Sequence, residues 1–220
     1  MELCDLQGTD VPELATAFVS GTGVLTDAIR RTADADAASL PLLDSAACAR
    51  LAGEARRLAF RPARAVVGIG ETAVYQDFDL ATEIPGGGLT ALVRALDRHI
   101  GRALESMTRN PLPDGFVVND LIVQRYAAGS AGITPHRDHL RYVGLVAIVV
   151  LAGAGRFLVS HDRTGRDARE IPAPPGHLLL MRAPGFNGRN DRPFHALREI
   201  TEERYILGLR CDSRPEPWHD

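Results

Sequence analysis

The sequence predicts an α+β fold that is mainly β, a jelly roll or β-sandwich with supporting N-terminal helices. Two observations predict it. From Phe116 onward the chain breaks into short apolar or alternating runs separated by turn-rich segments, as the strands of a sandwich do. Before Phe116 the strongest patterns have the helical period. The 220 residues, 45% hydrophobic and 24% charged, suffice for one full core without staples.

Taken in order, residues 1 to about 42 read as an N-terminal extension rich in Ala, Asp, Thr and Gly, and residues 43–220 as the main domain. Asp10-Val-Pro-Glu13 has the form of a helix start, with Asp10 as cap and Pro12 in the first turn. Leu25 to Ala35 fits a second short helix. A clear helix begins at Asp44, which can cap it, and runs to about Ala59 with Leu51, Ala55 and Leu58 on one face. Arg64 to Asp77 contains Val66-Val67 and Val74-Tyr75 and predicts strand. Leu89 to Met107 predicts a helix, with Leu92, Leu96, His99, Ile100 and Leu104 along one stripe. Strands are then expected over Phe116–Tyr126, Val143–Leu151, Gly155–Ser160, His177–Arg182 and Arg204–Cys211.

No apolar run approaches the ~18 residues of a membrane span. The Met-Glu-Leu-Cys-Asp start lacks a basic-then-apolar signal pattern, so a cytoplasmic protein is expected. Cys4, Cys48 and Cys211 are scattered and odd in number, which argues against a disulfide framework or a cysteine zinc site. The net charge of −3 is unevenly spread. Residues 1–120 hold 11 arginines against 17 acids, and residues 121–210 hold 13 against 8. All 25 basic side chains are arginine.

The chemistry-bearing feature is Thr134-Pro-His136-Arg-Asp138. Residues two apart on an extended segment point to the same side, so His136 and Asp138 can occupy adjacent positions on one metal. His195, 59 residues on, can supply a third ligand. Two histidines and one carboxylate on one face of an octahedron leave three positions open, the facial triad of non-haem iron(II) oxygenases. A bare His-x-Asp also fits a surface loop. Its context raises it: Arg204 and Arg210 are six apart on an expected strand and face the same way, toward the jelly-roll interior. Inward-facing arginines are costly unless paired with anions, and a dicarboxylate such as 2-oxoglutarate is a suitable one. The alternative for one arginine is a surface pair with Glu202 or Glu203. Of the other histidines, His139 should point away from Asp138, His161 lies in a polar turn, His177 begins a strand, His99 belongs to a helix core face and His219 is near the terminus.

Gln124-Arg-Tyr126-Ala-Ala-Gly129, His136-Arg-Asp138, Pro175-Gly-His-Leu-Leu-Leu-Met-Arg182, His195 and Arg204-Tyr-Ile-Leu-Gly-Leu-Arg210 together resemble the AlkB-like branch of the Fe(II)/2-oxoglutarate dioxygenases. The resemblance covers about residues 116–210. It implies a double-stranded β-helix (jelly-roll) core, and Fe(II), 2-oxoglutarate and O2 as metal and co-substrates. It further implies that His136, Asp138 and His195 hold iron and Arg204 grips the distal carboxylate of 2-oxoglutarate. Arg210 would lie near its keto-acid end, and Tyr126, helped by Gln124, would donate to it. Gln124 stands where the family usually has Asn, and the segments 127–135 and 183–194, at the expected mouth of the site, are longer than usual.

For the substrate, a nucleic-acid binder needs a basic footprint and stacking platforms. The net charge is negative and aromatic residues are only 5%, with Tyr75, Phe78 and Phe186 as the available platforms. A small-molecule or peptide-like substrate is therefore favoured over alkylated DNA or RNA, although the arginine-rich loops (Arg163, Arg166, Arg169; Arg189, Arg192) keep nucleic acid as an alternative. A non-catalytic jelly-roll binding module is the second alternative. Tyr75, Gln76, Asp77 and Arg182 are candidate substrate contacts.

Overall fold

In the computed structural model, residues 18–214 are described. The expected helix start at Asp10, together with Cys4 and His219, lies outside them. Three helices, α1 (Thr22–Ala35), α2 (Ser45–Ala55) and α3 (Gly88–Glu105), pack on one face of a two-sheet sandwich. The strands are β1 (Ala37–Pro41), β2 (Arg61–Pro62), β3 (Val66–Val67), β4 (Val74–Asp77), β5 (Asp79–Ala81), β6 (Asp120–Tyr126), β7 (Gly132–His136), β8 (Tyr142–Ala152), β9 (Arg156–Ser160), β10 (Arg169–Glu170), β11 (His177–Arg182), β12 (Phe194–Arg198) and β13 (Arg204–Asp212). The larger sheet runs β1-β11-β8-β13-β6-β5-β2 and the smaller β10-β9-β12-β7-β4-β3, and every pairing is antiparallel.

The larger sheet is covered on both faces, which explains why β8 and β11 are almost wholly apolar. Leu145, Ala147, Val149, Leu178, Leu180, Leu207 and Leu209 face the helices. Val146, Val150, Leu179, Met181 and Ile206 alternate with them and face the smaller sheet. Each such leucine contributes about 1.5–3 kcal/mol when fully buried. The helices obey the expected periodicity. Asp44 Oδ1 accepts from Ala47 N at 2.7 Å and caps α2. Glu54 of α2 accepts from Leu89 N at 3.0 Å, so one helix caps the next.

Several boundaries differ from expectation for local reasons. The run Arg64–Asp77 is a hairpin, because Gly68 and Gly70 adopt positive φ and turn the chain between β3 and β4. Residues 116–119 stay out of the ladder. There the Asn119 side chain bonds the Asp212 backbone twice, at 2.8 and 2.6 Å. The helix from Asp44 ends at Ala55 rather than near Ala59. β1, β7 and β12 were not expected as strands. β1 pairs with β11, so the described part of the N-terminal extension is built into the larger sheet. Among the described residues no helix is long and apolar enough to cross a membrane.

Candidate metal and keto-acid site

The site lies between the two sheets, and register explains its assembly. β7 and β12 pair so that His136 and His195 stand opposite each other. Their rings are 4.1 Å apart between centroids. Asp138, two residues past His136, brings Oδ1 to 3.8 Å from His136 Nε2 and 3.7 Å from His195 Nε2. The ligand atoms of the three residues lie within 4.8 Å of one another, the only such group of His, Cys, Asp or Glu among the described residues. His136 Nδ1 sits 3.0 Å from the Thr134 carbonyl, a donor position that leaves Nε2 as the lone-pair nitrogen.

The protonation states suit a metal, whose ligands must be neutral imidazoles and an ionised carboxylate. Burial pushes the His136 pKa down against the attraction of Asp138. Burial and the neighbouring His136 push His195 down to about 3. Burial works against the Asp138 charge, yet His195, Arg210, His136 and Arg192 together hold its pKa below the usual carboxylate value. The donor set therefore fits a divalent ion such as Fe(II).

His136, Asp138, His195, Tyr126 and Arg204 all line one cavity of about 680 Å3, mouth included. Arg204 is 2% exposed. Its Nη1 donates to the Gly153 carbonyl at 3.1 Å and its Nη2 to the Ala173 carbonyl at 3.0 Å, while Nε has no partner. Burial lowers its pKa to about 10. No ion pair with Glu202 or Glu203 forms. Tyr126 is the cross-strand partner of Arg204, and burial raises its phenol pKa against the pull of Arg204. The Tyr126 hydroxyl makes a long 3.4 Å bond to Gln124 Oε1, so Gln124 shares the cavity wall. Arg210 also lines the cavity, on the same face as Arg204. Its Nε donates to Asp120 at 2.7 Å, and its guanidinium lies 4.2 Å from the Tyr142 ring centre.

The remaining candidates lie elsewhere. Arg182 is not in the cavity. It is clasped by Asp36 (2.5 Å) and by the carboxylate (2.8 Å) and carbonyl (2.5 Å) of Asp191, which ties the turn after α1 to the loop before His195. There it fixes the loop before β12, outside the cavity where the sequence led us to expect a substrate contact. Tyr75, Gln76 and Asp77 belong to β4, beside β7, and none lines the cavity. Tyr75 is exposed, Gln76 donates to the Arg64 carbonyl at 2.7 Å, and Asp77 accepts from Ala131 N at 2.9 Å. Phe186 is wholly buried and Phe78 packs on Tyr126 with ring centres 5.1 Å apart, so neither is free to stack on a base. His139 Nδ1 accepts from Arg141 N at 3.2 Å, away from the triad. His161 pairs with Asp167, His177 with Ser39 and His99 with the Ser20 carbonyl. Arg192, read from sequence only as part of a basic loop, donates to the Asp138 carbonyl. Arg137, the residue between the two neighbouring ligands, packs on Phe194. The alternation of an extended segment was the one signal that could have singled it out.

No protein-family model matches this sequence. No curated protein matches it either. Its fold is shared with solved structures. A prolyl hydroxylase from Trichoplax adhaerens, in complex with a hypoxia inducible factor peptide fragment, aligns with a TM-score of 0.62 at 12% identity over 94% of both chains. A 2OG-Fe(II) oxygenase family oxidoreductase from Burkholderia pseudomallei aligns with a TM-score of 0.63 at 14% identity, covering 90% of this chain and 94% of that one. A Pseudomonas putida prolyl-4-hydroxylase aligns with a TM-score of 0.62 at 16% identity, covering 86% and 99%. The α+β, mainly β jelly-roll fold expected from the sequence is thus the fold that this chain shares with 2-oxoglutarate–Fe(II) oxygenases.

Proposed function

We propose that the chain is an Fe(II)/2-oxoglutarate-dependent dioxygenase. It hydroxylates, or otherwise oxidises, a C–H bond of a small-molecule or peptide-like substrate, with release of succinate and CO2. The observation that carries this reading is one cavity with two kinds of lining. His136, Asp138 and His195 converge on it, and a buried arginine without a carboxylate partner lines the same cavity. When bound, Fe(II) with 2-oxoglutarate supplies the oxidising power for C–H chemistry with O2.

The chain's own residues do the positioning. Arg204, fixed by two backbone carbonyls, offers its Nε–H to the distal carboxylate of 2-oxoglutarate. Tyr126 stays protonated at neutral pH; its single hydroxyl proton, given over a long 3.4 Å to Gln124 Oε1, turns to the same co-substrate when that binds. Arg210 lies near enough to act electrostatically on Asp138 and to attract the keto-acid end. Ile133, Val150, Leu179 and Ile206 wall the cavity and keep water from the chelate.

The finer placement in the AlkB-like branch rests on the sequence resemblance over residues 116–210. A peptide-like substrate is supported by the scarcity of exposed rings for base stacking and by the Trichoplax prolyl hydroxylase, whose structure holds a peptide fragment. Oxidative demethylation of alkylated DNA or RNA is the alternative within the same chemistry. Residues 43–220 form the oxygenase domain in this reading, with residues 1–42 an extension. A cytoplasmic location agrees with the free thiols Cys48 and Cys211 and with a metal needed in its reduced state.

The test is succinate formation from 2-oxoglutarate by purified protein with Fe(II) and ascorbate under air, compared with His136→Ala. Slow turnover in the wild type that disappears in the variant is expected. A wild type that neither turns over nor binds 2-oxoglutarate in its metal-loaded form would favour a jelly-roll binding module.

A further inference from the structure

The register that opposes His136 to His195 also opposes the residues beside them. One residue past the end of β7, Arg137 meets Phe194, one step before His195, and its guanidinium lies 4.1 Å from the Phe194 ring centre. Phe194 pairs in turn with Ser160 at the end of β9. The turn after Ser160 is braced by Asp162, which accepts from Thr164 N at 2.7 Å. This turn delivers Arg163, whose guanidinium lies 5.4 Å from the same ring. Arg163 also reaches the carbonyls of Pro135 and Ala73, at 3.3 and 3.4 Å. Arg192 comes from the loop before β12 and bonds the Asp138 carbonyl.

Two guanidiniums therefore gather on one phenylalanine, and a third on the ligand segment just past β7. Among the described residues none of the three forms an ion pair with a carboxylate, whereas Arg125, Arg156, Arg182, Arg189, Arg210 and Arg214 all do. Arg192 and Arg137 lie close enough to oppose each other's charge. Asp138 offsets part of the Arg192 charge, but no carboxylate ion-pairs with any of the three, and a further anion relieves their mutual repulsion. Because side chains alternate along a strand, Arg137 and Phe194 project from the outer side of the sheet that carries the metal ligands on its inner side. The cluster sits against the ligand segment: Arg137 lies between His136 and Asp138 in the chain, and Arg192 bonds the Asp138 carbonyl.

The geometry points to an anion-recognition rim formed by Arg137 and Arg163 on Phe194 with Arg192 beside them at the Asp138 carbonyl, which holds a carboxylate on the part of a peptide-like substrate that stays outside the cavity. This inference rests on the oxygenase reading of the same site. Guanidiniums bind carboxylates in a bidentate fork, and the half-buried ring holds two of them in place. A single carboxylate fits better than a polyanion. Asp162 and Asp167 are exposed beside Arg163, and residues 1–120 carry the acidic excess, so no continuous basic track runs from the rim. The resemblance to oxygenases gives no reason for Arg137. The register of this chain does.

The test uses the whole enzyme with Mn(II) and 2-oxoglutarate. Acetylated and amidated tripeptide pools carry Glu, Gln or Lys at the centre, and a methylated single-stranded oligonucleotide serves as the phosphate-bearing arm. Binding is read by competition at low ionic strength. The Glu pool should bind at least tenfold more tightly than the Gln pool, and the advantage should vanish in R137Q/R163Q. Both positions are solvent-accessible, and a thermal melt equal to wild type confirms that the variant is folded. Equal binding of the pools, including none by any, overturns the inference, as does a preference for Lys. Binding of the oligonucleotide alone replaces the carboxylate with a phosphate and overturns the assignment too. Binding of 2-oxoglutarate to the wild-type Mn(II) form is measured alongside. If it fails, the oxygenase reading has failed; if it holds while the pools do not differ, only the rim has failed.

Discussion

Replacing Arg204 with methionine should leave the ligand-free protein at least as stable as the wild type and abolish 2-oxoglutarate binding. Arg204 is 2% exposed and its Nε has no partner. Burial takes its pKa from 12.5 to about 10. At 1.36 kcal/mol per pKa unit, holding the cation there costs about 3 kcal/mol at neutral pH. Methionine has a similar reach without the charge. It removes that cost and leaves the Gly153 and Ala173 carbonyls without their donors, at about 1 kcal/mol each. Gly153 is only half-buried, so water can replace one donor. The net expectation is a gain of about 1–2 kcal/mol. Urea unfolding of both proteins, with and without 2-oxoglutarate on the Mn(II) form, reads both effects. Ligand at a hundred times its Kd should stabilise the wild type by about 2.7 kcal/mol and the variant not at all. A ligand-free variant less stable by more than about 2 kcal/mol, or one that binds 2-oxoglutarate normally, would refute the view that Arg204 is a strained cation awaiting a carboxylate.

Three other perturbations test the frame around the site. Arg182→Ala leaves the Asp36 and Asp191 carboxylates without their buried partner and should cost about 3 kcal/mol in urea unfolding; a loss below about 1 kcal/mol would mean the clasp is incidental. Gly132 has φ +73°, and an added Cβ would collide with the Leu197 carbonyl across the β7–β12 pair. Gly132→Ala should therefore cost at least about 2 kcal/mol and weaken Mn(II) binding by calorimetry, through a shifted His136–His195 register. His99 has its pKa lowered from 6.5 by burial, against the pull of the Ser20 carbonyl and with help from Arg102. The unfolded chain then takes up a proton near pH 6.5 that the folded chain resists, so this residue makes stability fall as pH drops below about 6.5. His99→Gln should flatten the change in unfolding free energy between pH 7 and 5, and an unchanged slope would contradict the burial argument.

The sequence by itself determined the fold class, the long strands and helices, and the inner ends of the site. His177–Arg182 was legible to the residue, and Arg204–Cys211 to within one, because both strands are buried on two faces and carry unbroken apolar runs. The same-face placement of Arg204 and Arg210 followed from the two-residue period alone. The tertiary structure decided what the period could not reach. β7 and β12 are five residues each and mixed in character, so their pairing is set by neighbouring strands and by the tight approach at Gly132. That pairing brings His195 to His136 across 59 residues. It also turned Arg182 from a candidate substrate contact into a buried clasp, since Asp36 and Asp191 reach it only through the folded backbone. Arg163 and Arg192 were ordinary loop arginines in the sequence, and Arg137 only the residue between two ligands. They became a cluster because strand register carries no trace in any one segment and exists only between segments.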